Sequence, residues 1–522
     1  MPDFSYPHTN RPCDYLAPCK HYCTVFNAHL YTFFLSFLLF HSAYSQSPAF
    51  GTTAEMGSYQ SSSNQIPFWL RANQWGQVPM QASFGTVRLG MYLHADSTCA
   101  EHEETKKKST FGWSAGAQVV TTFGSQNTYL LPEAYLKVRW KHLQITAGRQ
   151  KEAIGIMDTT LTSGSYSWSG NALPVPKINV GFADYVPIHF LRDFLSVKGN
   201  YAHGWFKENY IKGVFLHQKT LHARFGKPSS RVHVQVGINH HVTWGGQAEY
   251  LDNSPLAVDG KLTRNFKDYL WGVVLANIPR ESRTSRFTQF DGTNRVGNHV
   301  GHYDLAIDWT TKRTKFLVYR QHPFEDGSGL QIQNLPDGLY GFSVRPLQSS
   351  GKVVAWKGLV LEYLHTRNQS GNDFDLTGTR FKGLDNYFNH AQYAQGWSYR
   401  DKGLGTPFLP TRLEVSDSIR TTGEFFPSNS VILYHIGLEA LLLNKVHVLA
   451  KASYSLHFGT INIPFERRIS QFSSLLALDM PLSALGHIKL NGQLAWDKGG
   501  LYPSSLGSYL GIRAELAKMK NR

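Results

Sequence analysis

The sequence predicts an all-β fold, a transmembrane antiparallel β-barrel, and three observations carry that expectation. Side chains alternate between apolar and polar over many segments of about ten residues, the length of a strand that crosses a bilayer. Aromatic residues mark segment ends, as Trp113, Trp140, Trp205, Trp244, Trp309 and Trp496 do, where the two edges of a membrane would fall. Beyond residue 45 no unbroken apolar run exceeds four residues, which leaves no membrane-spanning helix. A mean hydropathy of -0.30 suits a barrel with a polar lumen. A soluble all-β protein would alternate too, but it would not need aromatic girdles.

The chain opens on an apolar block, Tyr31–Phe40, too short for a spanning helix and of the length of a signal-peptide core. Ala43-Tyr44-Ser45 follows with small residues at the positions a signal peptidase reads. Residues 1–45 are therefore expected to be a signal peptide, cut after Ser45. The stretch before the block is long for such a leader and suggests a true start downstream of Met1. Cys13, Cys19 and Cys23 fall in the leader, so only Cys99 remains. One thiol makes no internal disulfide and no thiolate zinc site. Residues 46–83 are expected to form a periplasmic segment or plug, and 84–517 the barrel.

The strand candidates are 84–95, 111–123, 128–140, 142–149, 175–186, 194–206, 213–225, 231–244, 300–310, 313–322, 337–345, 352–365, 431–443, 445–458, 470–480, 486–497 and 506–516. In one of them, Val446, Val448, Ala450, Ala452 and Tyr454 share a face while His447, Lys451, Ser453 and Ser455 share the other. In another, Tyr303, Leu305, Ile307 and Trp309 oppose Asp304 and Asp308. These are seventeen segments, and bacterial single-chain barrels have an even number. The missing strand is expected between 245 and 300, where Asn265–Ala276 reads as a strand or as a short helix tucked into the lumen. Two connections, 150–174 and 366–430, are long enough to be functional. The second is rich in aromatics and is expected to be ordered.

The chain carries 52 Lys and Arg against 37 Asp and Glu, a net charge of +15, all of it outside the leader. Such an excess favours an acidic partner, either the lipid of an outer membrane or an acidic polysaccharide; export argues against nucleic acid. No HExxH motif and no Walker loop is present, so no catalytic residue, cofactor or metal is expected. The histidines are scattered, and His240 and His241 would point to opposite faces of a strand.

Longer motifs add a family likeness. Ile66-Pro-Phe-Trp-Leu-Arg-Ala-Asn-Gln-Trp-Gly76, Ala147-Gly-Arg-Gln150, Ser169-Gly-Asn-Ala-Leu-Pro174, Tyr319-Arg-Gln-His-Pro-Phe-Glu-Asp-Gly-Ser-Gly329, Asp385-Asn-Tyr-Phe-Asn-His390 and Gly396-Trp-Ser398 resemble the Wzi capsule assembly family in its Bacteroidetes form. The likeness runs from about residue 50 to 515. It implies an outer-membrane barrel of about 18 strands, its lumen occluded by loops and by a small helical element on the periplasmic side. It also implies a lectin-like role in attaching capsular polysaccharide or exopolysaccharide to the cell surface. Two features depart from it: no helical bundle is visible near the N-terminus, and the last strand lacks a terminal aromatic. A monomer is expected.

Sugar recognition needs aromatic faces for pyranose C–H surfaces, amides and carboxylates for hydroxyls, and cations for acidic groups. The segment 385–400 holds all of these, and Asp385, Asn386, Tyr387, His390, Trp397 and Arg400 are its candidate ligand-binding residues. Arg149 and Asn171 are candidates in the first long connection. The same residues read structurally would pack the loop onto the barrel, with Arg149 paired to a carboxylate. Two other functions remain open at this point. A porin would use the polar lumen as a channel, and a carbohydrate-active enzyme would use Glu325 and Asp326 as its carboxylates.

Overall fold

The computed structural model describes residues 49–95, 111–125, 127–276, 287–325, 327–348, 351, 353–371, 383–420, 423–482 and 487–518. The expected leader, Cys99 and Asp326 lie outside these residues. The barrel strands are β1 (Ala49–Ser61), β2 (Phe84–Ala95), β3 (Phe111–Gly124), β4 (Thr128–Trp140), β5 (Leu143–Arg149) and β6 (Lys177–Phe182). They continue as β7 (Leu195–Trp205), β8 (Phe215–Phe225), β9 (Val232–Trp244), β10 (Asn298–Thr310), β11 (Thr314–Phe324) and β12 (Gly338–Pro346). The last six are β13 (Val354–His365), β14 (Val431–Leu442), β15 (Val446–Gly459), β16 (Pro464–Pro481), β17 (Ile488–Gly499) and β18 (Ser505–Lys518). Val186–Pro187 pairs with β7 beyond a break and extends β6.

Each strand runs antiparallel to the next, and β1 pairs with both β2 and β18, from Phe50↔Lys518 to Ser61↔Gly507. That pairing closes the sheet and leaves no edge. All seventeen expected strands are present. The eighteenth corrects the expectation: it is β1, not a segment between 245 and 300, so the proposed plug at 46–83 begins with a wall strand. The alternation of β1 is carried by small residues, with Ala54 and Met56 outside and Glu55, Gly57 and Tyr59 inside, and two flanking partners supply its hydrogen bonds.

The period of two sorts side chains as the sequence indicates. Met56, Leu89, Leu221, Leu305, Leu438, Leu476 and Leu510 are exposed on the outer face, an apolar band suited to lipid. His302, Asp304, Gln321, Glu362 and His435 are buried within. The two ends differ. Both barrel termini and several short turns lie at one end, among them 141–142, 311–313 and 443–445. The connections 62–83, 150–176, 245–297 and 366–430 all leave from the other.

Asn265–Ala276 is helical from Phe266 to Val274, but it does not enter the lumen. Tyr269 and Val273 pack on Val242 and Trp244, which point outward from β9, while Phe266, Trp271 and Leu275 are exposed. His240 on that outer face bonds His299 at 2.9 Å, whereas His241 points inward, its Nε2 3.1 Å from Ser167 Oγ. The buried one-turn helix α1 (Phe68–Arg71) stands at the long-loop end.

Candidate functional site

The bore is filled from the long-loop end. Segment 150–176 leaves β5, descends through the barrel and climbs back to β6, and every residue from Leu161 to Val175 is buried. Inward side chains hold it along the way. Ile156 N–H donates to Asp304 at 3.1 Å. Asp158 takes two bonds from Arg345, at 2.6 and 2.7 Å, a bidentate pairing that fixes direction as well as distance. Glu362 accepts from Thr162 Oγ1 and Ser163 N–H, both at 2.6 Å, and from the Tyr319 hydroxyl. Gln321 accepts from Tyr166 N–H at 2.8 Å. Wall and insert touch closely at Gly437, where an added Cβ would lie 2.6 Å from the Leu161 carbonyl oxygen.

Two further segments close over this insert. Trp75 N–H donates to Gly170 O at 2.8 Å, and Gly170, at φ +88°, leaves room for the Trp75 ring. Asn171 receives Asn73 N–H and donates to Gly403 O. Trp397 donates to Ser167 O at 2.8 Å and stacks on His241. The result is one apolar core inside the barrel, including Phe68, Trp69, Tyr166, Tyr387, Phe388 and Trp397.

This core corrects the reading of 385–400 as a sugar platform. Tyr387 and Trp397 are wholly buried, with no ring face for a ligand; Tyr387 donates to Asp337 at 2.7 Å. Asp385 is buried and accepts from Ser370 at 2.6 Å. Asn386 is tied to Glu424 at 2.8 Å. His390 lies edge-on to Phe290, and burial pushes its imidazole down to about 4. Glu325 accepts the Phe388 N–H at 3.0 Å, so it serves the same packing. Asn171 likewise joins the plug.

Arg149 and Arg400 remain, and the fold brings them together although 250 residues separate them in sequence. Arg149 donates to the Tyr399 hydroxyl at 3.1 Å, and Arg400 stands 6.0 Å from the centre of the same ring. The expected carboxylate partner of Arg149 is a phenol instead. Arg400 N–H donates to Glu208 at 3.0 Å. Burial pushes the Glu208 carboxyl up to about 7, with Asp401 adding repulsion. Beside it Tyr210 and Tyr250 stack, ring centres 6.2 Å apart, and Tyr250 is 42% exposed. Glu208, Tyr210 and Tyr250 were missed in sequence, where Phe206-Lys-Glu-Asn-Tyr210 reads as an ordinary loop. Together the group offers an aromatic face, two cations and a carboxyl poised near neutrality. Among the described residues no three His, Cys, Asp or Glu side chains converge as a metal site.

The chain is thus an 18-stranded transmembrane barrel whose own loops form a core in its bore. No family model and no curated protein matches it. Among solved structures it is similar to Wzi of Escherichia coli, described as an outer-membrane protein involved in group 1 capsule assembly and a carbohydrate-binding β-barrel. The TM-score is 0.54 at 15% identity, over 88% of this chain and 83% of that one. OpdQ and OccK5 (OpdH) of Pseudomonas aeruginosa match at TM-scores of 0.45 and 0.44, with 8% and 9% identity. They cover 91% of this chain and 100% and 99% of their own. At these identities the likeness to Wzi is one of fold.

Proposed function

We propose that this protein is a lectin-like barrel of the outer membrane of a Gram-negative bacterium, which holds acidic capsular polysaccharide or exopolysaccharide at the cell surface as a monomer. In such barrels the short turns are periplasmic and the long loops extracellular, so the Arg149, Arg400, Tyr210 and Tyr250 group faces outward. The observation that carries the reading is the buried core in the bore. A channel would line its lumen with water, whereas here Leu161–Val175 is closed off by loops. The likeness in fold to a carbohydrate-binding barrel points the same way. No catalytic role is proposed, because Glu325 is engaged by the Phe388 backbone.

The test has two arms on the purified protein. In planar bilayers no steady single-channel current is expected, and a large one would make the protein a porin. Surface-immobilised protein is expected to retain an anionic capsular polymer, with affinity falling as salt rises. Turnover of that polymer, lost on Glu325→Gln, would overturn the non-enzymatic reading.

A further inference from the structure

On the short-turn side of the plug the bore keeps a cavity of about 300 Å³. Its walls come from the short-turn ends of three neighbouring strands: His447 and Lys451 of β15, Asp479 of β16, and Asn491 and Gln493 of β17. Its roof is the plug itself, through Trp69, Asn73, Trp75 and Thr162. We propose that this cavity is a second carbohydrate site, one that takes one or two sugar units of an oligosaccharide from the periplasmic side. The inference rests on reading the barrel as a carbohydrate binder and adds a site that the loop-end group does not explain.

The chemistry of the lining selects the ligand. Gln493 Nε2 donates to Asn491 Oδ1 at 3.0 Å, and Asn491 donates in turn to Asp479 Oδ1. That relay leaves Gln493 Oε1 and Asp479 Oδ2 without a hydrogen-bond partner among the described residues, two acceptors for hydroxyl donors. Across the cavity Asn73 spends its amide N–H on Ser163 O at 3.0 Å, while its Oδ1 is buried and unbonded. Lys451 donates to Thr162 O at 3.0 Å and stands 4.7 Å from the Trp69 ring centre, with further N–H donors to give. Donors and acceptors therefore alternate around the space, beside indole edges. An acyl chain would strand these groups; a pyranose matches them.

The test uses the full-length protein in detergent, with maltose, cellobiose and the glucuronate–N-acetylglucosamine disaccharide as probes in saturation-transfer NMR, and hyaluronan as polymer. At least one disaccharide is expected to bind. Gln493→Trp, which fills the cavity, and Asn491→Ala, which breaks the relay, are each expected to weaken it at least tenfold. Retention of heat-modifiable gel migration shows that each variant has folded. If Gln493→Trp fails that check, Asn491→Ala decides. Disaccharide binding untouched by a folded cavity variant overturns the proposal. So does a protein that binds polymer and no disaccharide, an outcome that leaves the loop-end reading standing. Failure to bind either sinks both.

Discussion

In the long-loop half of the bore Trp397 lies against His241 and Tyr387 is closed over by Asp337. In the short-turn half Lys451, Asp479, Asn491 and Gln493 border open space. The strands are the same in both halves, and each half carries inward polar groups, Glu362 and Gln321 in one, Asp479 and Gln493 in the other. What differs is the chain that enters from one end. Three loops that start at the long-loop rim bring their own aromatics, and wall groups such as Glu362 and Gln321 supply the hydrogen bonds those backbones need inside a membrane. Where the loops stop, the wall polar groups face a cavity. The barrel is thus a rigid frame around a small soluble-like core, and the boundary between core and cavity is set by how deep segment 150–176 reaches.

The sharpest way to break this contrast is Glu362→Ala. It strips acceptors from Thr162, Ser163 N–H and the Tyr319 hydroxyl at once, and buried donors left open cost 1–3 kcal/mol each. A loss of about 3 kcal/mol of plug stability is expected, seen as proteolysis within 150–176 and the onset of current in planar bilayers. An unchanged, silent variant would mean that the plug does not depend on this anchor.

A smaller effect is expected at Gly437. An alanine there meets the Leu161 carbonyl and should cost about 1–3 kcal/mol by forcing insert and wall apart. Gly492, whose added Cβ has nothing within 4 Å, is the control: Gly492→Ala should leave thermal unfolding of the barrel unchanged. Equal melting shifts for the two would remove the claim that the insert presses on the wall.

The frame and the filling were not equally legible in the sequence. Alternation fixes which face of β15 is wet, since His447 and Lys451 point inward as their spacing requires. It failed for β1, where Thr52, Ala54 and Ser58 are too small to write an apolar stripe and pairing to β2 and β18 overrides weak propensity. It could say nothing about 385–400, because a buried plug and a sugar platform draw on the same residue types. Tyr387 and Trp397 are aromatic in either case, and only the arrival of Asp337 and Ser167 from distant connecting segments decides that they are core. Arg149 and Arg400 were readable as residue types, but their meeting at Tyr399 is a product of the fold.

At the loop end Arg400→Ala should weaken retention of an anionic polymer by roughly two- to fivefold, the scale of an exposed charge contact, and should flatten its salt dependence. Tyr250→Ala should act through stacking instead and leave the salt dependence in place. Surface plasmon resonance at several ionic strengths separates the two, and identical salt slopes for both variants would count against separate roles.

The gentlest probe is pH. Glu208 has its carboxyl raised to about 7 against an ordinary 4.5, so below pH 4.5 it is neutral whether the loop is folded or open and its folding contribution is complete. Between those values the folded loop binds the extra proton, and stability is lost as pH rises through 7. The same ionisation places a negative charge beside Arg400, where the polymer's own anions would bind. Affinity should therefore fall as pH rises from 6 to 8, and amide exchange in 206–214 should quicken over the same interval. Glu208→Gln should keep the low-pH behaviour across the range. A pH profile that is unchanged in this variant would assign the titration to another group and detach Glu208 from the loop-end site.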